Sequence, residues 1–355
     1  MTGLYIHVPF CLSKCPYCDF YSVGFEKELA EQYAKAVIRN LSNYNETYDT
    51  VYFGGGTPVL LSEYIPEILR NVHISKNAEI TVEANPCVTD EKRLYSLLSG
   101  GVNRISFGVQ SLDEGELKFL GRRHNSEQAV KVIELSYELG FVNISADLML
   151  GLPMQSEKSI AASVAELSAL PISHISAYLL KIEENTPFAK MDIAVPEDER
   201  MDEIYLFTCR ELEQRGFKQY EISNFAKDGY ECKHNLKYWQ CEEYIGIGAA
   251  AHSYYGGKRF CVAPDIMDFI NSPCQKTTVT DDNPGGFDEF AMLNLRLSKG
   301  ITFEECERFG VTESTIMERL KKIPSDYYRM TDKGIALTTE GFMLSNAVIG
   351  RILGY

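Results

Sequence analysis

Nothing in these 355 residues approaches the roughly 20 consecutive apolar residues that crossing a bilayer requires. Met1 leads straight into a strand-like run, without the basic segment and apolar core of a secretory leader. Positive charge is in deficit: 35 Lys and Arg against 50 Asp and Glu leave a formal net charge of -15. The long-range field of such a chain repels nucleic acid and anionic membrane alike, which argues against nonspecific binding to either. A local basic pocket and peripheral contact with a membrane protein both stay compatible with it. Ten cysteines are too few for a disulfide scaffold at this length. A reducing, cytoplasmic setting is therefore expected, in which clustered cysteines are read as ligands rather than bridges.

A fourth cysteine is also missing where three others meet. In "LYIHVPFCLSKCPYCDFYS", residues 4 to 22, Cys11, Cys15 and Cys18 stand at C-x3-C-x2-C spacing. Structural zinc normally takes four protein ligands, and an ordinary four-iron cluster takes four cysteines. Three thiolates either borrow a distant ligand for zinc or hold a four-iron cluster with one iron left open to an outside ligand. Downstream, "GGGTP" at 54–58 lacks the G-K-[ST] ending of a phosphate loop. Gly54, Gly55 and Gly56 allow close backbone approach to a ligand, with Thr57 as a neighbouring hydrogen-bonding group.

The chain is long enough for one large domain and one or two smaller ones. Short β-rich runs recur at 3–8, 50–53, 79–83, 103–109, 143–150 and 174–180. Several are nearly continuous in apolar content, the pattern of parallel strands covered on both faces. Helical patterns lie between them: Leu29, Tyr33, Val37 and Leu41 share one face, as do Ile160, Val164 and Leu167. Six strand-then-helix units predict an α/β fold, a partial (β/α)6 TIM-like barrel. In such a fold the site lies at the C-terminal strand ends, where the glycine run, Glu83, Gln110 and Asp147 fall. We expect the core over 1–215 and an α+β extension over 216–285. The acidic, Pro/Gly-containing "TDDNPGG" at 280–286 marks a boundary, followed by a small helical or winged-helix-like module over 286–355.

The cysteine spacing after an early strand resembles the radical S-adenosylmethionine (radical SAM) superfamily. That resemblance implies a [4Fe-4S] cluster on Cys11, Cys15 and Cys18, whose open iron is chelated by S-adenosylmethionine and whose electron breaks a carbon–sulfur bond of the sulfonium. "YFGGGTP", "VEANP", "RISFGVQSLD", "LKFLGRRH" and "DLMLGLPMQ" narrow the likeness to the oxygen-independent coproporphyrinogen oxidase-like group. On that likeness Tyr5 packs near the cluster and cofactor, and Tyr17 approaches the adenine. Glu83, Gln110, Arg122 and Asp147 supply the remaining polar contacts. Each of these four has an ordinary structural alternative, as a cap, a strand-end partner or half of an ion pair.

Two features turn the reading away from porphyrinogen chemistry. The dehydrogenases of that group continue to C-x3-C-x2-C-x-C, whereas Phe20 stands at that position here. They also carry an extension ahead of the first strand, and only a few residues precede it here. In addition, "HNLKYW", His234 to Trp239, matches the H-N-x-x-Y-W motif of HemW-like haem chaperones. The resemblance implies haem as a transported ligand, with His234, Tyr238 and Trp239 in its site. It further implies an apo-haemoprotein acceptor, a respiratory-chain component, and a homodimer. The same segment also admits a purely structural reading, with the aromatics closing the barrel and His234 bridging a turn. The competing functions are an oxygen-independent coproporphyrinogen III dehydrogenase and a radical enzyme acting on another small substrate.

Overall fold

The computed structural model describes residues 1–355. Six parallel strands follow one another in sequence order: β1 (Thr2–Val8), β2 (Thr47–Gly55), β3 (His73–Ala84), β4 (Arg104–Gln110), β5 (Asn143–Leu150) and β6 (His174–Leu179). Helices α1 (Lys27–Leu41), α2 (Glu91–Ser99), α3 (Ser126–Leu139), α4 (Glu157–Ala169) and α5 (Asp198–Gln214) cover one face. The observed strands and helices coincide with the periodic segments of the sequence, and the partial-barrel expectation is met.

Local signals explain the helix limits. Asn125 and Gln128 form a capping box at the start of α3, which ends at Gly140 in the left-handed region. Ser156 and Ser159 do the same for α4. On α1, Tyr33, Val37 and Leu41 are buried, and Tyr33 also donates its hydroxyl to the His7 carbonyl at 2.6 Å. That bond fixes the helix to the C-terminal end of β1.

One expectation needs refinement. The strands are not apolar on both faces. The face toward the helices is, through Leu4, Ile6, Val51, Phe53, Val82, Ile105, Phe107, Ile144 and Ile175. The alternating residues on the other face are polar: Thr50 and Tyr52, Glu79 and Glu83, Arg104 and Ser106, Ser145 and Asp147, His174 and Ser176. Residues two apart on a strand point the same way, so these groups line a common lumen.

The segment after α5 adds strands to both edges of the same sheet. β7 (Lys218–Glu221) and β8 (Asn224–Ala226) extend it beyond β6, with β8 antiparallel to β6. β9 (Tyr244–Ile247) runs parallel to β1 on the other side, followed outward by β10 (His252–Tyr255), β11 (Lys258–Val262) and β12 (Thr277–Asp281). Backbones approach closely here: a Cβ on Gly246 would lie 2.1 Å from the His252 carbonyl oxygen. Helix α6 (Lys233–Trp239) joins the two halves of this addition. The hydrophobic core of the barrel includes Phe217, Phe225, Ile245 and Phe269, so the 216–285 segment shares one core with the strands it flanks.

From Phe287 onward a second apolar core forms around Ala291, Leu295, Ile316, Leu320, Leu337, Phe342 and Ile349. Helices surround a three-stranded antiparallel sheet in which Tyr328–Met330 and Gly334–Leu337 make a hairpin. Ser298 fastens it to the barrel side by donating to the Gln219 carbonyl at 2.8 Å.

Lys237 on α6 locks the added segment to the first strands. Its side chain is 5% exposed, and Nζ donates to the Met1 carbonyl (2.8 Å), Asp49 (3.1 Å) and Glu242 (2.8 Å). Removing the buried ammonium leaves the Met1 carbonyl and the partly exposed Asp49 and Glu242 without their shared donor, whereas an exposed pair such as Lys35–Glu31 contributes little. Lys237→Met is expected to lower stability by about 1–3 kcal/mol in denaturant unfolding, and Lys35→Met to leave it unchanged within error.

Candidate functional site

The cysteine loop leaves β1 and crosses the C-terminal ends of the strands. Its backbone is tied down on both sides: Val23 donates to the Pro9 carbonyl (2.6 Å), Phe25 to Cys11 (3.1 Å) and Phe188 to Pro16 (3.0 Å). The glycine run beneath it is a matched surface. Gly56 donates to the Val8 carbonyl at 2.8 Å and Thr57 to the Phe10 carbonyl at 2.7 Å. A Cβ on Gly56 would lie 2.7 Å from that Phe10 oxygen, and one on Gly55, at φ +108°, would meet the His7 ring at 2.5 Å. Only glycine lets the loop and strand approach this closely.

Cys11, Cys15 and Cys18 line one cavity of about 170 Å³ together with Gly55, Gly56, Thr57, Glu83, Gln110, Arg122, Asp147 and Tyr17. Thr57 Oγ1 is 3.5 Å from Cys11 Sγ, and Arg122 Nη1 is 3.6 Å from Cys15 Sγ. Arg122 also donates to the Gly108 carbonyl, but its buried Nε has no partner. No group of three or more His, Cys, Asp or Glu is close enough to hold a single metal ion. The three thiols line a shared space, and a multi-iron cluster held at three corners would fit that donor set.

Glu83 is hydrogen-bonded through both carboxylate oxygens. It accepts from the Tyr52 hydroxyl at 2.8 Å and from the Gly55 amide at 3.1 Å. Burial nevertheless pushes its pKa up to about 7, despite the lowering effect of the Tyr52 bond. Asp147 is raised as well, again by burial, with Ser176 and Ser106 partly stabilising its charge. Gln110 sits at φ +73°, a conformation rare for a non-glycine residue, and accepts from the Tyr178 hydroxyl at 2.6 Å.

A second chamber of about 590 Å³ opens beside the first. The two share Tyr17, Cys18, Phe20, Glu83, Ser106, Asp147 and Tyr178. The larger one reaches down the lumen to Arg104, Asn224 and Asn235.

The family model of the radical SAM superfamily matches residues 5–167. The chain is 33% identical to the haem chaperone HemW of Bacillus subtilis, with both chains covered over 100% of their length. It is 39% identical to HemW of Escherichia coli over 70% of this chain and 69% of that one. It is 30% identical to the mitochondrial radical S-adenosyl methionine domain-containing protein 1 of Danio rerio, over 99% of this chain and 87% of that one. Among solved structures, coproporphyrinogen III oxidase (HemN) of Escherichia coli superposes with a TM-score of 0.82 over 100% of this chain and 90% of that one, at 20% identity, a likeness of fold. The chain belongs to the HemW family of the radical SAM superfamily.

Measured against the sequence reading of a HemW-like site, most residues converge on the cavity and a few do not. Tyr5 and Gly54 line neither chamber. Tyr5 stacks on Tyr52 and His234 and hydrogen-bonds His7 Nδ1 at 3.0 Å, and a Cβ on Gly54 would meet the Tyr52 and Tyr5 rings. In the H-N-x-x-Y-W segment, His234 is fully buried and both ring nitrogens are engaged, Nδ1 with Thr50 (2.8 Å) and Nε2 with Tyr238 (2.7 Å). Burial lowers its pKa to about 3, so the ring is neutral at physiological pH. Tyr238 and Trp239 are half-buried, and Asn235 is the residue of this segment that reaches the larger chamber. Sequence reading missed Tyr52, Arg104, Ser106, Ser176, Tyr178 and Asn224 as lining groups. The two-residue periodicity of polar groups on β2, β4 and β6 was the signal for all but Asn224.

The cysteines are tested by anaerobic reconstitution. Alanine at Cys11, Cys15 or Cys18 is expected to abolish the normal iron and sulfide content and the visible absorption, and alanine at Cys241 or Cys274 to retain both. The pH dependence of the cofactor-free protein tests Glu83. A carboxyl whose folded pKa of about 7 exceeds its ordinary 4.5 adds stability that is full below the ordinary value and is lost as pH rises through the folded one. Glu83→Gln is expected to flatten the fall in unfolding free energy between pH 5 and pH 8, removing up to about 3 kcal/mol of it.

Proposed function

We propose that this protein binds haem and passes it to acceptor haemoproteins, on a core whose cysteines hold a [4Fe-4S] cluster with S-adenosylmethionine beside it. The observation that carries the reading is end-to-end similarity to haem chaperone HemW proteins, 33% identity with both chains covered over 100% for that of Bacillus subtilis. In the structure, a chamber of about 590 Å³ next to the three thiols lies within the roughly 300–1,000 Å³ of small-ligand sites. When bound, cluster and S-adenosylmethionine supply one-electron reductive chemistry. This chain's own residues do the positioning. Cys11, Cys15 and Cys18 hold three irons, Arg122 faces the cluster side with unspent donors, and Glu83, Gln110 and Asp147 offer acceptors around the small-molecule space.

Phe20 favours carrier over dehydrogenase. It is 63% exposed at the wall shared by both chambers, in the position where the dehydrogenase pattern has a further cysteine. A phenyl ring neither ligates iron nor donates a proton, and it adds apolar surface at the mouth. The acceptor in this reading is an apo-haemoprotein, a respiratory-chain component met at the membrane surface by a cytoplasmic, dimer-forming carrier. Release requires a state with weaker haem affinity, supplied by the acceptor's own differential binding.

Within this reading His234 is a positioning residue. It braces α6 against β2 and so fixes Asn235 in the chamber wall. His234→Gln retains hydrogen-bonding capacity and is expected to leave the absorption maximum of bound haem in place. A shifted maximum would instead identify the ring as an iron ligand. The function itself is tested by mixing the anaerobically reconstituted protein with haem and an apo-acceptor. Acceptor activation without turnover of coproporphyrinogen III is the expected result, and efficient conversion of that substrate would reverse the assignment.

A further inference from the structure

Arg104 is a buried guanidinium of the lumen whose Nε has no hydrogen-bond partner. It enters from the start of β4 and is 2% exposed. Its side chain makes no hydrogen bond and no ion pair within 4 Å, and its buried Nε has no partner. A guanidinium cannot relieve burial by losing its proton, so a donor fork left open in the interior is costly unless a ligand fills it.

Glu79 favours the Arg104 charge through space, but the carboxylates around it make their hydrogen bonds elsewhere. Glu79 accepts the amides of Lys233 and His234 at 3.2 Å each, at the start of α6, and faces the Cys232 thiol at 3.6 Å. Glu83 is held by Tyr52 and Gly55, and Asp147 by Ser106 at 3.4 Å. Burial raises the pKa of Glu83 to about 7 and shifts Asp147 in the same direction. A second unpartnered atom lies in the same chamber wall: Asn224 spends its amide nitrogen on Glu221 and leaves Oδ1 buried without a donor. The rest of that chamber is partly apolar, through Met149, Leu179, Leu180 and the rings of Tyr17 and Phe20.

We propose that Arg104 is the carboxylate anchor of the larger chamber, receiving a propionate of haem while the apolar wall covers the macrocycle. The assignment rests on the haem-binding reading above. Arg104 presents a planar pair of donors that suits a carboxylate held by two bonds. The bound molecule thus lies with its acidic edge at the base of the lumen and its body beside the space lined by the three thiols.

Full-length, cluster-reconstituted protein titrated with haem and with haem dimethyl ester tests this by absorption. The wild type is expected to bind free haem about ten- to a hundredfold more tightly than the diester, the range of charge-assisted hydrogen bonds. Arg104→Met should erase that preference while leaving the diester affinity near its wild-type level, and Arg104→Lys should retain part of it. Thermal unfolding of each variant reports whether it is folded. Equal wild-type affinity for the two ligands would overturn the anchor while leaving haem binding intact. Binding of neither ligand would overturn the haem reading, and this assignment with it.

Discussion

A polar lumen inside an apolar jacket is the constraint on which the rest of this structure depends. Each barrel strand gives one face to the helices and the other to the interior. The helix-facing side supplies the hydrophobic stabilisation, through residues such as Ile6, Phe53, Val82, Phe107 and Ile175. The inner side carries Thr50, Tyr52, Glu79, Glu83, Arg104, Ser106, Asp147 and His174, groups that are expensive to bury unless bonded. Most are bonded. His234 joins Thr50 to Tyr238, Tyr52 reaches Glu83, and His174 links Ser145 to Tyr220.

That satisfaction separates structural polar groups from those awaiting a ligand. His234 is the plainest structural case, because both nitrogens are used and its ring is stacked on Tyr52 at 5.1 Å. Arg122 and Arg104 are the opposite: each has a buried Nε without a partner, one beside the thiols and one at the base of the larger chamber. The two arginines therefore mark the two compartments, and burial raises the pKa of the carboxylates between them, that of Glu83 to about 7 and that of Asp147 in the same direction.

The segment after the sixth strand completes this interior. Its strands continue the sheet at both edges, and α6 is fixed by Lys237 to the first residues and to Asp49 on β2. Glu79 at the start of α6 binds its free amides, as a carboxylate at a helix start does. The H-N-x-x-Y-W segment consequently serves as part of the barrel wall, with Asn235 at the larger chamber and the histidine behind it.

The sequence by itself determined the order of strands and helices, since periodicity and capping are local, as the capping boxes at Asn125 and Ser156 illustrate. It also determined the three-thiol loop, because Cys11, Cys15 and Cys18 lie within eight residues and need no distant partner to meet. Glu83, Gln110 and Asp147 were legible because a parallel α/β fold puts its strand ends at one mouth. Only the tertiary structure decided that His234 spends both nitrogens inside the protein, that Tyr5 and Gly54 stay outside the chambers, and that Arg104 is left unpaired. Those outcomes depend on which side chains from remote strands occupy the same few ångströms, a matter of packing and hydrogen-bond competition that no local pattern encodes.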